Sequence, residues 1–302
     1  MWQVGETPAE QVDKALALVV GAGRPEGQAR AGARDLRDYL DSLPAGRHAV
    51  WWARAGPSPA AATVVIHSPG RTATVLHSSA AGGAVPVEAL AALMRAVADH
   101  ALAAGAVLVQ VLLAPPADED IRAFTQAGFV RLAELIYMRL SLRGRSVAPP
   151  AATAQLEYAS YGPGTHADFA AGIVASYVES LDCPGLGGLR DVEDVLAGHK
   201  ACGVFRPELW TVARQCGQLA GVILLNEHLV QPALEVVYMG VARAFRGQGV
   251  GRALLWHAMY LAQKERFPAL SLAVDAENRF ARRLYADVGF VETARRLAYV
   301  RK

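Results

Sequence analysis

Apolar residues in this chain fall into short blocks separated by glycine, proline and charged turns. Blocks at 50–54, 62–66 and 72–76 are rich in valine and other β-branched or aromatic residues and read as three strands. Residues 87–102 carry apolar side chains at helical spacing, and an apolar strand at 106–113 follows. The same order returns in the second half. Residues 235–241 read as a strand, the glycine-rich stretch 246–251 turns the chain, and residues 251–263 read as a helix. An apolar strand at 269–274 comes next, then a helix that starts near Asn278. Upstream, residues 169–203 read as two helices broken by a glycine-rich loop at 183–188.

The two halves look like copies. Gly128 and Phe129 are echoed by Gly289 and Phe290, an offset of 289 − 128 = 161. A Pro/Ala/Ser-rich stretch at 143–153 has linker composition. At 302 residues the length suits two domains. The expectation is two tandem copies of one α/β (α+β) fold, at 1–145 and 155–302.

The glycines at 247, 249 and 251 sit where a strand turns into a helix. Glycine at a helix N-terminus lets bare backbone N–H groups converge on an anion, most often a phosphate. The phosphate loop of nucleotide hydrolases requires Gly-Lys-Ser/Thr, whereas Gly251 is followed by Arg252 and Ala253. The dinucleotide fingerprint requires a different glycine spacing. The alternative is a plain tight turn, where glycine is common. A second pattern lies downstream: Asn278, Ala281, Leu284, Tyr285, Gly289 and Phe290. Asn278 and Tyr285 are seven residues apart, two helical turns, so they share one face.

These two patterns, in this order, resemble the signatures of the GNAT acetyltransferases over residues 155–302. The resemblance implies that each copy is a mixed, mostly antiparallel sheet flanked by helices. It implies acetyl-CoA as co-substrate, with its diphosphate on Arg246, Gly247, Gln248, Gly249, Val250, Gly251 and Arg252. The Met239 N–H would meet the thioester carbonyl, Val241 would pair with the pantetheine arm like an added strand, and Asn278 would contact that arm. Tyr285 would be the acid that meets the leaving thiolate. Read from the residues alone, Asn278 suits a helix N-cap and Tyr285 a core aromatic.

Amine acetylation also needs a base and donors to the developing oxyanion. Glu235 is the base candidate. Strand alternation places Glu235, Val237, Met239 and Val241 on one side, with Glu235 about 13 Å from Met239, so a water would relay the proton. The acceptor would be met by residues 169–203, where Asp191, Glu193 and Asp194 either draw a cationic amine or cap a helix. At the offset of 161, Glu235, Asn278 and Tyr285 correspond to Thr74, Ala117 and Phe124. The loop becomes residues 78–86, with one glycine pair, Gly82 and Gly83. The first half is therefore expected to be a degenerate copy, with a residual nucleotide site at Gly82 and Gly83 left open. The layout resembles tandem members of the family in which one domain is active.

Composition narrows the rest. A net charge of +2 is too mild to argue for nucleic acid. Cys183, Cys202 and Cys216 are odd in number and form no paired motif. That suits a reducing cytoplasm and free thiols rather than a disulfide framework. His199 and Cys202 have local metal-ligand spacing without a second pair, so no metal is expected. No apolar run reaches the length of a membrane span. The acceptor is expected to be a small-molecule or peptide amine and the chain a monomer or homodimer. A non-catalytic acyl-CoA sensor or scaffold, and a longer acyl donor, are the alternatives.

Overall fold

The computed structural model describes residues 2–145, 147 and 156–302. Most of the expected linker, residues 148–153, lies outside the described residues. The chain divides into two compact units, Met1–Leu132 with Arg296–Lys302, and Ala133–Arg295.

Unit 1 holds β1 (Gln3–Glu6), α1 (Val12–Val20), α2 (Glu26–Asp41), β2 (His48–Arg54), β3 (Pro59–Ser68) and β4 (Thr72–His77). α3 (Val87–Ala103), β5 (Leu108–Leu113) and α4 (Asp118–Gln126) follow. β1 to β4 pair antiparallel in sequence order. β4 and β5 pair parallel. The five-residue run Ala61, Ala62, Thr63, Val64 and Val65 of β3 is fully buried, because helices cover both faces of that central strand.

Unit 2 takes up β6 (Val130–Ser141) from Ala133 onward, then β7 (Leu156–Ser160), α5 (His166–Tyr177) and α6 (Val192–Lys200). Then come β8 (Val204–Phe205), β9 (Thr211–Gln215), β10 (Gln218–Glu227), β11 (Leu234–Val241), α7 (Val250–Lys264), β12 (Ala269–Asp275) and α8 (Arg279–Val288). Its sheet runs β6-β12-β11-β10-β9-β7, with β11 and β12 parallel and the other pairs antiparallel. This is the mixed, mostly antiparallel sheet flanked by helices that the sequence leads one to expect.

The repeat is exact in register through its second part. β5 and β12 start 269 − 108 = 161 residues apart, α4 and α8 start 279 − 118 = 161 apart, and β6 and β13 (Val291–Arg301) start 291 − 130 = 161 apart. The last strand of each copy is nevertheless exchanged. β6, which ends the first copy, pairs with β12 from Leu135 to Ser141. β13, which ends the second copy, pairs with β5 from Leu297 to Arg301. Boundaries of 1–145 and 155–302 assign both strands by sequence order, whereas strand pairing assigns them by partner. Alternation along a strand tells which face is buried and says nothing of which edge it joins.

Candidate functional site

β11 and β12 begin as a regular parallel pair and then part. Their registered pairs are Leu234 with Leu270, Glu235 with Ser271, and Val236 with Leu272. Beyond Val236 the backbone of β11 has no strand partner on that side among the described residues. On its other side β11 carries an irregularity: Leu225 of β10 faces Val236 and Leu224 faces Tyr238, so Val237 is the extra residue of a bulge.

The bulge corrects the simple alternation. Leu234 and Val236 pack into the core under α7, and so do Met239 and Val241, while Val237 and Tyr238 pack toward α5. One inserted residue flips every later side chain to the other face. Glu235 therefore does not share a face with Met239 and Val241.

The parted strands bound a cavity of about 750 Å³. Met239, Val241, Asn278 and Tyr285 line it, with the glycines at 247, 249 and 251 at one end. Gly247 and Gly249 have φ of 77° and 84°, left-handed values that favour glycine, and Gly249 is the N-cap of α7. Gly251 is helical, and a Cβ there would meet Leu284 at 3.4 Å. Among the described residues, none of the backbone N–H groups of 247–252 meets a protein acceptor. They are the free donors of a helix N-terminus, aimed where an anion is favoured.

The side chains of the loop have other work. The Arg246 guanidinium donates to the carbonyls of Val241, Glu179 and Ser176, at 3.2, 3.2 and 2.8 Å. It staples the end of α5 to the end of β11. Gln248 donates to the Ala244 carbonyl at 2.8 Å and is not among the cavity's lining residues. Arg252 lines the cavity and lies 3.4 Å from Asp287. Arg246 and Arg252 line the cavity together with the backbone of the loop, whereas the Gln248 side chain does not.

At the other wall, Asn278 is the N-cap of α8 and its Oδ1 accepts from the Ala281 N–H at 3.2 Å. Tyr285 is 6 % exposed, and its phenol is pushed well above its usual range by burial and then by the charge of Asp182. A phenol so placed keeps its proton at neutral pH. Asp275, at the end of β12, accepts N–H groups from Cys183 at 3.0 Å and Glu277 at 3.0 Å. These bonds tie the loop after α5 to the start of α8. The Cys183 thiol is pushed up to about 12 by burial and by Asp182 and Asp275, so it is not a thiolate near neutrality.

On the opposite face of β11, α5 packs closely. A Cβ on Gly172 would come within 2.6 Å of Val222, and one on Gly240 within 2.3 Å of Ser176 Oγ. Those two glycines let Ser176 reach Tyr238, with the hydroxyls 2.5 Å apart. His199 lies against the Tyr238 ring at 5.3 Å, and burial with the nearby Arg190 charge lowers it to about 4. Glu235 sits on this side, near Cys202 and His228, and is not a lining residue of the cavity. Burial raises its carboxyl above the usual range, which the His228 charge partly opposes. Of the acidic run on α6, Asp191 accepts the Asp194 N–H at 2.9 Å as an N-cap, and Glu193 lies 3.0 Å from His166. The Asn226 side chain donates to the carbonyls of His199, at 2.7 Å, and Cys202. Those two residues are thereby fixed through their backbones.

The apolar liners Phe245 and Phe280, the bulge at Val237, and the bond from the Asp275 N–H to Asp182 escape the sequence patterns. Only the exposed phenylalanine at 280, on an otherwise arginine-rich helix, carried a local hint.

A free helix N-terminus beside two parted strands and a buried tyrosine is the arrangement that the chain brings together around this cavity. Residues 182–290 match the acetyltransferase (GNAT) family. The mycothiol acetyltransferase of Streptomyces coelicolor is 27% identical, over 98% of this chain and 93% of that protein. The one from Thermomonospora curvata is 29% identical, over 94% and 91%. With the Streptomyces avermitilis enzyme of the same name the match spans 57% of this chain and 54% of the relative. Among solved structures, a tandem GNAT protein from the clavulanic acid biosynthesis pathway shares the fold with a TM-score of 0.55 at 15% identity, covering 100% of this chain and 98% of that one. A GCN5-related N-acetyltransferase from Sphaerobacter thermophilus does so with a TM-score of 0.58 at 17% identity, covering 99% and 95%. Residues 182–290 thus carry the match to the GNAT acetyltransferases, and the chain as a whole shares its fold with tandem proteins of that family.

Proposed function

We propose that this acetyltransferase moves the acetyl group of acetyl-CoA to a primary amine, by direct attack of the amine within a ternary complex in unit 2. The observation that carries the reading is the parting of β11 and β12 after Val236, which opens a cavity between the bare N–H groups of 247–252 and Tyr285. Acetyl-CoA, when bound, supplies an activated thioester.

The chain's own groups do the rest. The N–H groups of 247–252 hold the diphosphate, and the unpaired edge of β11, with Met239 and Val241, takes the thioester and pantetheine amides as an added strand. Asn278 orients that arm. Glu235 removes the proton of the ammonium through a water from the α5 side of the strand. Its raised pKa suits a base that must work near neutrality. Tyr285 keeps its proton until it is needed by the leaving sulfur. The raised Cys183 thiol favours direct transfer over a cysteine-bound acetyl group. The cytoplasm is the expected compartment. No described helix is long and apolar enough to cross a membrane.

Similarity to mycothiol acetyltransferases over nearly the whole length favours one refinement: an acceptor of the kind those enzymes acetylate. Release of CoA in the presence of a panel of primary amines tests the general reading. Stoichiometric acetyl-CoA binding without CoA release for any amine would leave the chain as a cofactor sensor or scaffold.

A further inference from the structure

We propose that Asp182 holds the ammonium group of the acceptor beside Tyr285. The inference rests on the amine-acetylation reading and adds a specificity-determining residue to it.

Asp182 lines the cavity at the loop that follows α5. One carboxylate oxygen accepts the Asp275 N–H at 3.3 Å. This contact holds the carboxylate without neutralising it. Among the described residues, no arginine, lysine or histidine forms an ion pair with Asp182. Its charge is felt by the hydroxyls of Tyr177, Tyr238 and Tyr285, so it stands among three aromatic rings. A fixed anion among aromatic faces, with no cation of its own, is matched by an organic ammonium. Asp182 is exposed in the free protein, so its carboxylate is open to a ligand that enters the cavity.

Glu235 cannot serve the same purpose, because the bulge leaves it off the cavity, near Cys202 and His228. The two carboxylates thus have separable tasks: Asp182 anchors the ammonium, and Glu235 takes its proton. Asp275 is spent on the N–H groups of Cys183 and Glu277.

The test is calorimetric titration of CoA-loaded protein with tyramine, a primary ammonium, and with 4-ethylphenol, a similar ring without the charge. Asp182→Asn keeps an acceptor for the Asp275 N–H and removes the charge. Tyramine should bind that variant about thirtyfold more weakly than wild type, as loss of one partner of a charge pair that the bound ligand covers predicts. Binding of 4-ethylphenol and of acetyl-CoA should stay within twofold, and Asp182→Glu should recover part of the tyramine affinity. Equal loss for both probes, parallel loss of acetyl-CoA, unchanged tyramine binding, or no tyramine binding by wild type would each overturn the proposal. CoA release on the same samples reads the enzyme assignment separately: intact charge-selective binding without any release would sink the amine-acetylation reading and leave the ammonium site standing.

Discussion

The two units meet the same problem at the same place with different side chains. In both, the parallel pair parts after three residues: β4 and β5 register only from Thr72 to Thr74, as β11 and β12 do from Leu234 to Val236. In unit 2 the gap is open and Ala281 and Tyr285 line it. In unit 1 the corresponding positions are 281 − 161 = 120 and 285 − 161 = 124, which are Asp120 and Phe124. Asp120 is 5 % exposed and accepts the Ala80 N–H and the Ser79 hydroxyl, each at 2.7 Å. Phe124 is fully buried, edge-on to His77 at 4.9 Å and Phe129 at 5.1 Å. The first unit has placed its own carboxylate where the second presents free donors, and a phenyl ring where the second presents a phenol. Strand geometry alone does not make the site. The contents of the gap do.

The largest effects should come from removing the chemical groups peculiar to unit 2. Glu235→Gln should lower turnover at neutral pH by about 10²–10⁴-fold, the usual worth of a positioned base. The base works deprotonated and its pKa is raised, so wild-type turnover should fall as pH drops through a value above the ordinary carboxylate range. That limb should vanish in the variant, with partial recovery at high pH where the amine loses its proton unaided. A wild-type pH profile in Glu235→Gln would move the base elsewhere. Tyr285→Phe, which makes unit 2 resemble unit 1, should lower kcat with little change in acetyl-CoA affinity, since the phenol acts on charge that develops during transfer.

Next in size is the loop. Gly249→Asp forces a left-handed residue, costing about 1–2 kcal/mol, and adds a like charge to the anion seat. Acetyl-CoA affinity should fall about a hundredfold by calorimetry, with each tenfold worth about 1.4 kcal/mol. Gly249→Ala carries the strain without the charge and should lose less. Gly251→Asp should also fall short of Gly249→Asp, because Gly251 is already helical. Equal losses in all three would assign the effect to a collapsed loop.

A smaller effect should separate stability from activity. Asp120→Asn weakens two charge-assisted bonds in unit 1 and should cost about 1.5–3 kcal/mol in urea unfolding. Turnover at a permissive temperature should not change. A fall in kcat would give unit 1 a direct part in the reaction.

The sequence made the larger frame legible. The offset of 161 and the glycine spacing at 247–251 place strands, helices and the anion-binding turn, because glycine and helical periodicity have local causes. Three features have no local cause. The bulge at Val237 lies in a run of β-branched and aromatic residues, any of which fits a regular strand. The exchange of β6 and β13 is decided by distant edges. The bonds of Arg246 depend in part on carbonyls some 70 residues upstream, at Ser176 and Glu179. Each is a choice among partners that are far apart in sequence and equal in local preference.

The central claim is that one unit of the two holds the cofactor. Calorimetric titration of the full chain with acetyl-CoA reads this directly. The account predicts one site per chain, weakened about a hundredfold by Gly249→Asp and untouched by Asp120→Asn. Two equivalent sites per chain, or a single site of unchanged affinity in a folded Gly249→Asp protein, would contradict it.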